Sequence, residues 1–258
     1  MRKFTLLFLF FGAIILKGCG QSPQEEGVRI IAHRGYWKTE GSAQNSIASL
    51  KKAQALDIFG TEFDAQLTAD SVYVAFHDSK IHGVPVEEMT YAQMLADTTL
   101  ANGERISTVD EYLKEAAKDK SCKIIFELKP QEKPGFEELS VEKAISLVKT
   151  HTLEKCTEFI SFSIEICKML VQKMPGIPVS YLGSTLSPAE LHELGITGVD
   201  FNFSVFQKNP DWVPEAHALG MSVNVWTVDK KETALEMIDL GVDYITTNYP
   251  ETLLAEEE

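Results

Sequence analysis

The chain has 258 residues, 44% of them hydrophobic and 24% charged, an ordinary globular make-up that excludes disorder, collagen-like repeats and small disulfide scaffolds. Lys and Arg total 24 against 38 Asp and Glu, a formal charge of −14, which argues against a phosphate-backbone footprint and so against nucleic acid as a partner. A protein this acidic needs a local cation, from Lys, Arg or a metal, to handle an anionic substrate.

Arg2 and Lys3 precede an apolar run from Phe4 to Leu16, too short for a bilayer span of about 20 residues and of the length of a secretory h-region. The run closes in Leu16-Lys17-Gly18-Cys19, which resembles the lipobox of bacterial lipoproteins, with Lys17 where small residues are usual. That resemblance implies a signal peptide over 1–18, lipidation of Cys19 and a polar tether over 19–27. The expected location is then the cell envelope, lipid-anchored on a periplasmic or outer-membrane face; simple secretion and a retained anchor are the alternatives.

From residue 28 onward short apolar runs alternate with helical patterns, and no linker divides the chain, which predicts one domain over 28–258. The runs are Val28–His33, Thr61–Leu67, Cys122–Leu128, Thr157–Phe162, Pro178–Leu182, Gly198–Phe203, Ser222–Thr227 and Val242–Thr247. Eight parallel strands suggest a closed barrel, although an open doubly wound sheet has the same local pattern. Between them, Val141, Ala144, Ile145 and Val148, and then Cys167, Leu170, Val171 and Met174, recur at helical spacing. Gly195, Gly220 and Gly241 each follow a helical pattern where a C′ glycine is expected. One piece departs from the repeat: Val72–His77 reads as an extra strand, followed by an inserted lobe over about 78–107. Cys122, Cys156 and Cys167 lack the paired short spacings of a zinc site. Buried thiols are expected, with a Cys122–Cys156 bridge as the alternative in an oxidising compartment.

Four apolar strands end in ionisable residues. The first ends in His33-Arg34-Gly35, and Thr61-Glu62-Phe63-Asp64 puts two carboxylates at i and i+2 on one strand face, costly in a barrel interior unless a positive group sits between them. Val72–His77 ends in a His with Asp78 beside it, and Glu127 and Lys129 again share a face at i and i+2. Each alone reads as a turn or a strand-end ion pair. Together they fit an active site, which in barrels and open α/β sheets lies at the carboxyl ends of the strands.

His33-Arg34-Gly35, Asn45, Glu62-x-Asp64, Thr68, Phe76-His77-Asp78, Glu127-x-Lys129 and Trp226-Thr227 resemble, in order and spacing, the signature of the glycerophosphodiester phosphodiesterases, from about Ile30 to Pro250. The resemblance implies a (β/α)8 TIM barrel with a small insertion after the second strand, hydrolysing glycerophosphodiesters to glycerol 3-phosphate and an alcohol. It also implies one divalent metal on Glu62, Asp64 and Glu127, an acid/base pair of His33 and His77, and phosphate contacts from Arg34 and Lys129. Trp226 is matched to a wall of the pocket.

Three carboxylates without thiolate form a hard oxygen site, suited to Mg²⁺ or Ca²⁺. Two His with ordinary pKa values near 6.5 can share proton transfer. The sequence departs from the family at Gln44, where a Glu is usual, and at Asn248, where many members have Asp; Asn248 is assigned no catalytic role. His82, His151, His192 and His217 are read as surface or packing residues. The competing readings are a lysophospholipase D-like phosphodiesterase and a non-catalytic surface lipoprotein that binds a phosphodiester headgroup.

Overall fold

Runs rich in Val, Ile and Phe favour extended backbone that can be covered on both faces, and here they close on themselves. The computed structural model describes residues 27–254, so the proposed signal peptide, Cys19 and most of the tether lie outside the described residues. From the start of the described chain, β1 (Arg29–Ala32) leads through α1 (Ile47–Gln54) to β2 (Gly60–Leu67), and β3 (Tyr73–Ala75) folds back antiparallel on β2. The lobe that follows holds a small hairpin, β4 (Lys80–Ile81) and β5 (Val84–Pro85), a 3-10 turn at Val86–Glu88, and α2 (Tyr91–Asp97). The alternation resumes with α3 (Val109–Ala116), β6 (Lys123–Leu128), α4 (Phe136–Thr150), β7 (Thr157–Ser161), α5 (Ile164–Lys173), β8 (Val179–Tyr181) and α6 (Pro188–Glu193). It ends with β9 (Gly198–Asn202), α7 (Phe203–Lys208), α8 (Trp212–Ala218), β10 (Ser222–Trp226), α9 (Lys231–Leu240), β11 (Tyr244–Thr247) and α10 (Pro250–Leu254).

The parallel strands run in the order β1, β11, β10, β9, β8, β7, β6, β2, and β1 also pairs with β2. This closure makes an eight-stranded barrel and removes the open-sheet alternative. All eight residues of β2 are buried, as expected of a strand with helices outside and a filled barrel within. The outward side chains Phe63, Phe126, Phe159 and Phe201 belong to the large core under the helices, where Phe63 stacks on Tyr112 of α3 at 4.4 Å. Inward, Ile31, Ile125, Ile160, Leu182 and Tyr244 form a second cluster that plugs the barrel.

The helix ends are closed by capping side chains and by the glycines the sequence marks. Thr90, Thr108 and Ser187 form capping boxes with Gln93, Glu111 and Glu190, and Gly195, Gly220 and Gly241 sit at φ of +77°, +73° and +87° after their helices. The short helix α7, directly after β9, was not expected; Asn202 starts it by accepting from Ser204 N at 3.1 Å. The inserted lobe has its own small core, in which Val86, Met94, Leu100 and Ile106 pack against Val74 of β3. Cys122 and Cys156 do not form a disulfide: both are buried thiols, and Cys156 Sγ donates to Lys120 O at 3.4 Å. Among the described residues no helix is long and apolar enough to cross a membrane.

Candidate active site

The parallel register of β2 and β6 sets Asp64 opposite Glu127, and Glu62 lies two residues back on the same face of β2. One carboxylate oxygen from each of the three lies within 4.8 Å of the others. The positive groups anticipated between them are present. Lys129 Nζ is 3.1 Å from Asp64 Oδ1 and 3.1 Å from Glu127 Oε1, and Arg34 Nε is 3.5 Å from Asp64 Oδ2. Asn45 clamps Asp64 from the other side, donating from Nδ2 to Oδ2 at 2.9 Å and accepting from Asp64 N at 3.0 Å. Gln44 Oε1 accepts from Arg34 Nη1 at 2.7 Å; a Glu there would neutralise the guanidinium, and the amide leaves its charge available.

Burial raises the carboxyls of Glu62 and Glu127, and repulsion from the neighbouring acids adds to it. Burial acts on Asp64 too, but Lys129, His77, Arg34 and the Asn45 amide outweigh it and hold that carboxyl well below the usual range. With all three ionised, three acids against two cations leave one negative charge in excess, the wrong sign for a phosphodiester. A divalent cation would reverse that sign and leave one positive charge for the substrate to neutralise.

The donor set fits such an ion. Glu62 Oε1 is buried with no hydrogen-bond partner, and Glu127 Oε1 meets Lys129 Nζ only as an ion pair, without hydrogen-bond alignment. Orphaned buried carboxylate oxygens of this kind are costly unless a cation completes them. Glu62 Oε2, by contrast, is fixed by Arg34 N at 2.7 Å.

The two histidines reach the site on different supports. His33 follows β1, and its Nδ1 lies 2.8 Å from Asn248 Oδ1. The Asn248 amide is oriented by Asp229, which accepts from Nδ2 at 2.7 Å and from the backbone N at 2.8 Å. Oδ1 therefore faces the ring, and His33 carries its proton on Nδ1 with Nε2 as a base. Burial, with Arg34 adding to it, lowers His33 to about 4. The turn after it is tight: Arg34 has φ +57° and Gly35 φ +77°, and a Cβ on Gly35 would lie 2.3 Å from Ser49 Oγ. His77 follows β3 at the edge of the lobe, its Nδ1 2.8 Å from Asp78 Oδ1. Gln66, next on the inward face of β2 after Asp64, donates to both Phe76 O and Asp78 O at 2.9 Å and so brackets His77 from the barrel side.

His33, Arg34, Glu62, His77, Glu127 and Lys129 line one open pocket, and Asp64 underlies them as their charged anchor. Every site residue expected from the sequence except the lipidation site is thus gathered at one end of the barrel. Trp226 also lines the pocket, edge-on to Phe162 at 5.7 Å and donating from Nε1 to Asp200 O at 2.9 Å. His82, His151 and His217 instead meet Asp97 O, Asp110 and Asp243 outside the pocket. Two polar residues at the site, Gln66 and Asp200, carry no expectation from the sequence, and a third, Asn248, carries one without a task. Asn248 and Gln66 orient the histidines, and Asp200, 2% exposed, lies on the pocket floor with burial raising its carboxyl to about 7 against the easing effect of the Asn224 amide. The signal for Asp200 was present, an acid at an inward position of an apolar strand.

Residues 33–252 match the model of the glycerophosphoryl diester phosphodiesterase family. A glycerophosphodiester phosphodiesterase of Caldanaerobacter subterraneus subsp. tengcongensis is 29% identical over 87% of this chain and 96% of its own. The crystal structure of a glycerophosphodiester phosphodiesterase from Parabacteroides distasonis superposes with a TM-score of 0.85 at 47% identity, covering 88% of this chain and 95% of that one. A phosphodiesterase of Oleispira antarctica, solved with the product sn-glycerol-3-phosphate, has the same fold at a TM-score of 0.77 and 24% identity, over 88% of this chain and 95% of that one.

Proposed function

Since the chain belongs to the glycerophosphoryl diester phosphodiesterase family and is a phosphoric diester hydrolase, we propose that its own residues hydrolyse glycerophosphodiesters to sn-glycerol 3-phosphate and an alcohol by paired histidine acid/base catalysis beside a carboxylate-bound divalent ion. The observation that carries this reading is the buried cluster of Glu62, Asp64 and Glu127 set between two differently supported histidines. The sn-glycerol-3-phosphate bound by the Oleispira phosphodiesterase is the product this reading requires.

Glu62, Asp64 and Glu127 would hold Mg²⁺ or Ca²⁺, which when bound polarises the phosphoryl oxygens and offsets charge growing on them. Arg34 and Lys129 orient the phosphate, Arg34 through a planar fork. His33, neutral near pH 7 with Nε2 unprotonated, takes the proton of the glycerol 2-hydroxyl as that oxygen bonds to phosphorus. His77, oriented through Nδ1 by the Asp78 carboxylate, gives a proton to the departing alcohol oxygen as the bond from phosphorus to that oxygen breaks. The product of this half is a cyclic phosphate. Water then opens the ring with the two proton transfers reversed.

Incubation with glycerophosphocholine should release choline and sn-glycerol 3-phosphate, followed by coupled enzymatic assay, with far slower release of choline from lysophosphatidylcholine. Faster turnover of the lysolipid would replace this reading with the lysophospholipase D-like one, and binding of either diester without turnover would leave a headgroup-binding protein.

A bacterial lipoprotein is the accompanying proposal, with residues 1–18 removed and Cys19 lipidated so that the barrel works at the cell envelope. Its support is the Phe4–Leu16 run closing on Gly18-Cys19. Cys19→Ala should yield a soluble, active enzyme in the periplasm or medium, detected by fractionation, while intact mass of the wild type should show the lipid. An unmodified Cys19 would overturn the anchor.

A further inference from the structure

Asp200 is a carboxyl in a place that the reaction as derived does not use. It lies on β9, and the order of the closed barrel sets β9 opposite β2, the strand that carries Glu62 and Asp64. Its side chain is at the pocket floor with Ile160, Leu182 and Trp226 around it, and its Oδ1 is buried without a hydrogen-bond partner. The other polar side chain of the floor, Thr246, is already engaged, its Oγ1 accepting from Asn224 Nδ2 at 2.9 Å. A buried acceptor left open in a pocket costs stability in the free protein and is recovered when a ligand brings a donor.

We propose that the Asp200 carboxylate is the recognition point for the terminal hydroxyl of the substrate's glycerol, and that it selects the deacylated glycerol over an acylated one. The inference rests on the glycerophosphodiesterase reading above. Glycerol in such a diester has two free hydroxyls. The 2-hydroxyl is committed to attack on phosphorus, so the terminal hydroxyl is the donor that remains. The pocket is graded in the same sense. Its mouth is apolar at Phe162, 41% exposed, and suits an alcohol group that varies from substrate to substrate, whereas its floor holds one fixed acceptor and suits the part every substrate shares. A choline group has no polar hydrogen to give to that carboxylate. An acyl chain on the terminal oxygen removes the donor and presses against Ile160 and Leu182. Raised by burial to about 7, the Asp200 carboxyl is partly neutral near physiological pH, which limits its repulsion of the phosphate while either form still accepts a hydroxyl.

The test compares glycerophosphocholine with 2-hydroxyethyl phosphocholine, which keeps the attacking hydroxyl and lacks only the terminal hydroxymethyl. Wild type should favour glycerophosphocholine in kcat/KM by about 10–10²-fold, the size expected for losing one hydrogen bond to a charged acceptor. Asp200→Leu should bring the ratio close to one, and Asp200→Asn, which keeps an acceptor oxygen, should retain part of it. Lysophosphatidylcholine should gain on glycerophosphocholine in the Leu variant. A wild-type ratio near one, or a parallel loss on both diesters in Asp200→Leu, would overturn the assignment and make Asp200 a structural residue. Calorimetric binding of sn-glycerol 3-phosphate against 2-hydroxyethyl phosphate, in wild type and Asp200→Asn, gives the same comparison without turnover. A preference there in an enzyme that cleaves neither diester would sink the reaction and keep the subsite; equal binding would sink the subsite.

Discussion

Chelation of the purified protein is expected to reduce hydrolysis of glycerophosphocholine to background, and added Mg²⁺ or Ca²⁺ to restore it. Without an ion the three acids cannot all ionise beside an anionic substrate; the raised carboxyls of Glu62 and Glu127 keep protons instead. Those protons must leave when a cation binds. A folded-state pKa above the unfolded one is a stability present at low pH and lost as pH rises through it, so the metal-free protein weakens with rising pH. The increase in Tm on adding the ion should therefore be larger at pH 8 than at pH 5, which calorimetry can measure.

The ligand variants should not behave alike. Glu62→Gln resembles the protonated acid and keeps an oxygen for Arg34 N, so it should lower metal affinity by about 10²-fold or more with little loss of fold, given that even outer-shell changes cost 10–100-fold. Asp64→Asn leaves Lys129 and Arg34 short of their shared partner and should also cost about 1–3 kcal/mol of stability, less than a fully buried pair would, because these cations retain 17% and 18% side-chain exposure. Full turnover by metal-free enzyme in excess EDTA would end the assignment.

Removing either histidine should lower kcat by about 10²–10⁴-fold with metal content unchanged. On the proposed route His33 and His77 carry the two complementary proton transfers of each half-reaction, so neither would retain much value alone. His33→Ala with His77→Ala should then lose little more than the worse single variant. Metal assayed in each variant separates proton transfer from ligation: loss of the ion in a single variant would move that His into the ligand shell. An analogue lacking the glycerol 2-hydroxyl should be nearly inert, and wild-type rates on it would remove the cyclic route.

The histidines also show what a sequence can and cannot carry. His33, Glu62, Asp64, His77, Glu127 and Lys129 were legible because each ends an apolar strand, and strand ends converge in any parallel α/β fold. The i, i+2 spacing of Glu62 and Asp64 even implied a cation between them, supplied by Lys129 from β6 and Arg34 from the turn after β1. The closure of the sheet was legible only through the strand count and the family resemblance, because it depends on the pairing of β1 with β11 and β2 and not on the pattern within any strand. Asn248 looked like an uncharged replacement with no task. Its meaning comes from His33, 215 positions away in sequence, and from Asp229 behind it. Gln66 had the right face but an unremarked residue type, since an amide's partners are set only by the fold. Asp200 is the one acid within Gly198–Phe203, and only the closed barrel turns it toward the pocket.

Gln66 has a wider consequence. The lobe between Asp78 and Ile106 packs around a core of its own, yet the histidine at its root takes its position from β2 through two hydrogen bonds to Phe76 and Asp78. Changes in the lobe far from Phe76 should therefore reach the chemistry only weakly, because Gln66, with the bond from Phe76 N to Asp64 O at 3.0 Å, ties the histidine's segment to the barrel wall.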